Sequence, residues 1–143
     1  MAENQPLFFA HYSFLGLDPR NLLDSNGSYW EQNVAHARYN YDYCVRNPQG
    51  HAGYSASFPY TPEESLSALH YFYYKIGDRL WGTYGFKDSF SLDRAWFASS
   101  YLAIDQGPIV VMIENYRTAL LWNLFMKNAH IRAGLDKLGF KYE

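Results

Sequence analysis

At 143 residues the chain has the length of one domain, enough to bury a core without disulfide or metal staples. Its net charge of −2, with the signs interspersed, offers no basic stripe to a phosphate backbone and so argues against a nucleic-acid partner. The single cysteine, Cys44, allows no intrachain disulfide, and its place late in an apolar run reads as a buried small hydrophobe rather than a nucleophile.

Aromatic residues make up 20% of the chain, with 14 Tyr, 10 Phe and 4 Trp, faces that suit sugar stacking and ordinary packing alike. The opening MAENQPLFFAHYSFLG lacks the charged, apolar and cleavage regions of a signal peptide, so the chain reads as cytoplasmic or as lacking a leader. Residues 1–27 show no sustained period. LDPR and DSNGS are turn clusters, and Phe8, Phe9, Tyr12, Phe14 and Leu15 are expected to pack beneath another element. Ser28 and Glu31 then form a capping box that starts a helix over about 29–46. Trp30, Val34, Ala37, Tyr41 and Cys44 or Val45 supply its apolar stripe, and Asn47-Pro48-Gln49-Gly50 ends it.

The small, flexible GHAGYSASF leads into Thr61-Pro62-Glu63-Glu64, with Thr as N-cap, Pro in the first turn and Glu as dipole complement. The helix that follows is placed at about 62–80, with Leu66, Leu69, Tyr73, Ile76 and Leu80 on one stripe. From Trp81 to Gln106 the pattern lapses into a long aromatic loop, which leaves room for a short helix over about 91–98. Pro108 suits the first turn of a further helix, about 108–127. Its apolar residues cover nearly every face, as in a helix surrounded by protein, while Glu114, Asn115 and Arg117 argue against a membrane span. Asn128 caps a last helix, about 129–138, with Ile131, Leu135 and Leu138 inward and Gly139 as its stop. The fold class is all-α, and the chain one domain over 1–143.

A Gly-rich phosphate loop, CxxC and HExxH are all missing, so neither a cofactor nor a metal is expected. His11, His36, His51, His70 and His130 lie at irregular spacing. Asp105 ends the aromatic loop and Glu114 sits in the apolar helix, and a carboxyl held among aromatics has the raised proton affinity that a general acid needs. The same residues also read as a cap, for Asp105, and as an ion pair with Arg117, for Glu114.

Taken together, PLFFAHYSFLGLDPR, SFPYTPEESLSALHYFYY and LWGTYGFKDSFSLDRAWFASSYLAIDQGPIVVMIENYRTALLWNLFMKN resemble the C-terminal part of the bacterial glycoamylase-like family of glycoside hydrolases, which includes endo-β-1,2-glucanases. The resemblance implies a partial (α/α)6 toroid of four or five helices and hydrolysis of a glucan or oligosaccharide by paired carboxylates. It implies Asp105 as one carboxylate, assigned as the base, with Glu114 as the available second. Trp81, Tyr84, Phe90, Trp96 and Tyr101 become stacking platforms and Arg117 the orienter of Glu114. Family members also carry a large N-terminal portion and a segment rich in Trp, Gly, Asp and Thr between the positions of Gly53 and Ser57, and relatives are often exported to the periplasm. The expectation is therefore an incomplete family member, active on glucan or else a non-catalytic carbohydrate-binding module, that covers its exposed helix faces by homo-oligomerisation.

Overall fold

Ser28 and Asn128 each start a helix at the place that local hydrogen-bond signals give it. The computed structural model describes residues 7–46 and 57–142. The expected stop at 47–50, the junction at 53–56, His51 and the side chains of Phe8, Phe9, Cys44 and Val45 lie outside the described residues. A short helix α1 (Leu7–His11) runs into a 3-10 turn (Tyr12–Leu15). A small hairpin follows, β1 (Leu23–Asp24) and β2 (Gly27–Ser28), whose tip is tied by the Asn26 N–H to Asp24 at 2.7 Å. The Ser28 hydroxyl then accepts the Glu31 N–H at 3.3 Å and opens α2 (Tyr29–Arg46).

Pro62 opens α3 (Pro62–Tyr74), but the expected helix to residue 80 is interrupted. Ile76, at φ −128° and ψ 11°, leaves helical geometry, and α4 (Gly77–Leu80) is a separate turn. Thr61 makes no side-chain cap; its hydroxyl lies 3.4 Å from that of Ser65 instead. The predicted stripe is also corrected, since Leu66 and Tyr73 stay 45% and 47% exposed while Ser65 is buried.

The aromatic segment after α4 is neither structureless nor helical at 91–98. It folds into two hairpins, β3 (Trp81–Gly82) with β4 (Gly85–Phe86) and β5 (Phe90–Ser91) with β6 (Trp96–Phe97). Opposed rings fix each register: Trp81 meets Phe86 edge-on at 4.8 Å, and Phe90 stacks on Phe97 at 5.7 Å. Gly85, at φ 100°, provides the left-handed turn of the first hairpin. Arg79 clamps the second, its guanidinium over Phe97 at 4.2 Å.

The central helix α5 (Ala103–Thr118) begins five residues before the expected start, so Pro108 lies inside it and not in its first turn. The expected continuation to residue 127 is broken at Ala119, which takes a left-handed φ of 55° and separates α6 (Leu120–Met126). Asn128 caps α7 (Ala129–Lys137) by accepting the His130 N–H at 2.9 Å. Gly139, at φ 76°, closes α7 with the Phe140 N–H on the Leu135 carbonyl at 3.0 Å, a Schellman arrangement. That turn swings Phe140 back onto the core and leaves Leu138, expected inward, 74% exposed.

Leu7, Ala37, Tyr60, Met112 and Trp122 form the principal core, with Trp30 and Val34 against it. Phe14, Leu22 and Leu135 form a second, covered by Tyr29, Ile131 and Phe140. Trp122 joins the two, its indole N–H donating to the Phe14 carbonyl at 2.7 Å. α5 is not enclosed by the described residues: Met112 is fully buried, whereas Val110 is 69% exposed. Among the described residues no helix is long and apolar enough to cross a membrane.

Candidate functional site

A groove of about 500 Å³ lies between α3, the first hairpin and α5. Tyr73 and Tyr74 border it from α3, Trp81, Tyr84 and Phe86 from the hairpin, and Gln106, Ile109, Val110 and Ile113 from α5. Its rings are held by their edges. Trp81 is gripped by Tyr73 at 5.1 Å and Phe86 at 4.8 Å, and Tyr84 by Tyr101 at 5.4 Å. Edge contacts fix a ring's orientation without covering it, and Trp81 and Tyr84 remain 46% and 77% exposed. The Tyr101 hydroxyl lies against Gly82, where a Cβ would meet it, so a larger residue there would push the Tyr101 ring aside.

One residue before Gln106, towards the start of α5, is Asp105, in the first helical turn. It does not stand alone. Partial burial raises its proton affinity most, and a hydrogen bond with Asp88 and the negative charge of Asp88 raise it further. Asp88 sits between the two hairpins, with its N–H on the Ser100 carbonyl at 3.0 Å and its carboxylate accepting the Ser89 hydroxyl at 2.9 Å. The hairpins thus bring to Asp105 a carboxyl 17 positions earlier in the chain. Two carboxyls in contact hold a proton more readily than either would alone.

Glu114 is elsewhere. Nine residues along α5 from Asp105, it lies on the opposite helix face, displaced by roughly 13 Å along the axis at about 100° and 1.5 Å per residue. There it accepts from Arg117 at 3.2 Å and from the Thr118 hydroxyl at 2.7 Å, and the Arg117 side chain is 67% exposed. Of the expected platforms, Trp81 and Tyr84 line the groove and Tyr101 supports Tyr84. Phe90 is used in packing against Phe97 and Phe72, and Trp96, 51% exposed, lies on the second hairpin away from the groove lining.

Asp88, Gln106, Tyr73 and Tyr74 are the additions the structure makes. The tyrosines fall within YFYY on a predicted helix, where spacing put Tyr73 on a core stripe, and Asp88 carries no spacing signal towards Asp105. Among the described residues no group of three or more His, Cys, Asp or Glu is placed to hold a metal ion.

Helices and short hairpins around an exposed aromatic groove define the class, an all-α protein, and the solved structures it resembles carry the (α/α)6 fold. The chain belongs to the Glycoamylase family, described as "Putative glucoamylase", which matches residues 1–58 and 55–129. Among curated proteins it is 39% identical over 173 residues to the exo β-1,2-glucooligosaccharide sophorohydrolase (non-reducing end) of Parabacteroides distasonis, covering 96% of this chain and 24% of that protein. It superposes with a TM-score of 0.89 and 40% identity on the endo-β-1,2-glucanase of Chitinophaga pinensis in complex with sophorotriose and glucose, covering 96% of this chain and 41% of that one. A "putative glucoamylase" from Bacteroides uniformis gives the same TM-score of 0.89 at 48% identity, with 95% and 41% covered. The chain thus spans about a quarter of the curated relative's length and about two-fifths of the solved structures. The family's two matched stretches overlap at residues 55–58.

Proposed function

We propose that this chain forms one wall of a glucan cleft, with Trp81 and Tyr84 stacking on sugar rings and Asp105 holding the proton beside them. The observation that carries the reading is the exposed aromatic groove bordered by Gln106, the residue next to Asp105, a carboxyl whose proton affinity is raised. Aromatic faces take the apolar faces of pyranose rings, and a carboxyl that keeps its proton can give it to a leaving glycosidic oxygen. Asp105 is therefore better suited to the acid role than to the base role expected from sequence. A β-1,2-linked glucan is the substrate to try first, because the sophorohydrolase and the endo-glucanase among the relatives act on that linkage.

A second reading, non-catalytic carbohydrate binding, draws on one observation. Glycosidase carboxyl pairs stand about 5–5.5 Å or 6.5–9.5 Å apart, leaving room for the sugar or a water. Asp88 and Asp105 are closer, in hydrogen-bond contact, and Glu114 is on the far face. Together Asp88 and Asp105 supply a proton, not both halves of the reaction. Self-association belongs to the same proposal: the exposed apolar residues of α5 and α6 would be covered by a second copy.

The test is reducing-sugar release from β-1,2-glucan by the pure protein between pH 4 and 8, alongside tryptophan fluorescence titrated with glucan oligosaccharides. Turnover abolished by Asp105→Asn supports the hydrolase. Quenching or enhancement without turnover selects the binding module, and neither signal overturns both.

A further inference from the structure

We infer that Tyr12 is a positioning residue for Asp105: its hydroxyl stands in for the amide hydrogen that Pro108 lacks and pins the first turn of α5. The inference rests on Asp105 being the working carboxyl of the groove.

Inside an α-helix the N–H of residue 108 would bond to the carbonyl of Ile104. Proline has no N–H, and its ring crowds that carbonyl outward. Pro108 occupies the sixth position of α5, so the Ile104 carbonyl loses its helical partner. Gly107 before it faces open space, so packing does not explain a glycine there. Relief of the clash between a proline ring and the preceding residue's Cβ does. The orphaned carbonyl is taken by the Tyr12 hydroxyl, 92 residues away in sequence. Ile104 is the immediate neighbour of Asp105, so the bond fixes the backbone of the turn that carries the carboxyl.

The anchor is itself anchored. The Tyr12–Leu15 turn also accepts the Asn115 side-chain N–H on its Leu15 carbonyl at 3.0 Å and the Trp122 indole N–H on its Phe14 carbonyl at 2.7 Å. One short turn therefore holds α5 near both ends, at Ile104 and at Asn115. Tyr12 also lies within reach of the Asp105 charge, which adds to burial in making its phenol harder to ionise. A proline inside this helix is thus matched by a hydroxyl from outside it, and the pair sets where Asp105 stands relative to Asp88.

The test measures the Asp105 carboxyl titration by carbon-13 NMR in the full chain without sugar, in the wild type, Tyr12→Phe, Pro108→Ala and the double variant. Released from its pin, the turn lets Asp105 draw away from Asp88, and its pKa in Tyr12→Phe falls by about half a unit or more towards the ordinary carboxylate value. Pro108→Ala returns an amide donor to the Ile104 carbonyl, so adding Tyr12→Phe to it leaves the Asp105 titration where Pro108→Ala put it. An unmoved titration in Tyr12→Phe, or an equal shift with and without Pro108, overturns the inference. Should Tyr12→Phe not fold, the double variant decides, because it is expected to fold and its failure would also overturn the proposal. The readout needs no glucan, so an inactive Asp105 would sink the functional reading and leave this measurement standing.

Discussion

His11 shows how one residue can tie the stability of this protein to pH. Its ring is 1% exposed, and neither nitrogen has a partner among the described residues. Tyr60 lies 4.7 Å away and His36 6.3 Å away. Burial, and then the charge of His36, hold the His11 pKa down to about 3. The unfolded chain, at about 6.5, takes up the proton first as pH falls, so the stability contributed by neutral His11 is complete above about 6.5 and drains away towards about 3. At about 1.4 kcal/mol per unit, the loss reaches roughly 4 kcal/mol at the acid end of that window. Urea midpoints followed from pH 7 to pH 4 should drop steeply in the wild type and less so in His11→Phe; parallel slopes would clear His11 of the effect. Sequence alone offered five irregular histidines and no reason to choose this one, because burial is a property of the path of the chain.

Among the elements, the joint between α5 and α6 rests on Asn115. Its Oδ1 accepts the N–H groups of Leu121 at 3.0 Å and Trp122 at 3.2 Å, and its Nδ2 donates to the Leu15 carbonyl at 3.0 Å. One side chain thus caps the second helix, ends the first and fastens both to the N-terminal turn. Asn115→Ala leaves two amides and a carbonyl without partners in a site 2% exposed, and we expect a loss of about 3 kcal/mol in chemical denaturation. A loss below about 1 kcal/mol would show that water replaces the bonds. The break at Ala119 was not legible, because TALLWN carries good helix formers and an alanine where a left-handed turn usually takes glycine or asparagine. The starts of α2 and α7 were legible, since Ser28 and Asn128 satisfy orphan N–H groups two or three residues away.

At the scale of the whole molecule, the helix read as enclosed is covered on one side only by the described residues. Val110, Leu120 and Leu124 stay 69%, 47% and 59% exposed, and Ile104 63%. Apolar surface of that extent is normally covered, so light scattering on the pure protein should return a dimer or larger species, and a monomer at micromolar concentration would count against self-association. The sequence by itself determined the all-α class, the capped helix starts, the family and the aromatic segment at 81–106 as the region of interest, because periodicity, caps and long motifs are written locally. Only the tertiary structure decided that this segment forms two hairpins, that Asp88 rather than Glu114 stands beside Asp105, and that Tyr12 answers for Pro108. The last two join Asp88 to Asp105 and Tyr12 to Ile104, 17 and 92 positions apart, and such meetings depend on where turns at Ile76, Ala95 and Ala119 send the chain, which no local pattern records.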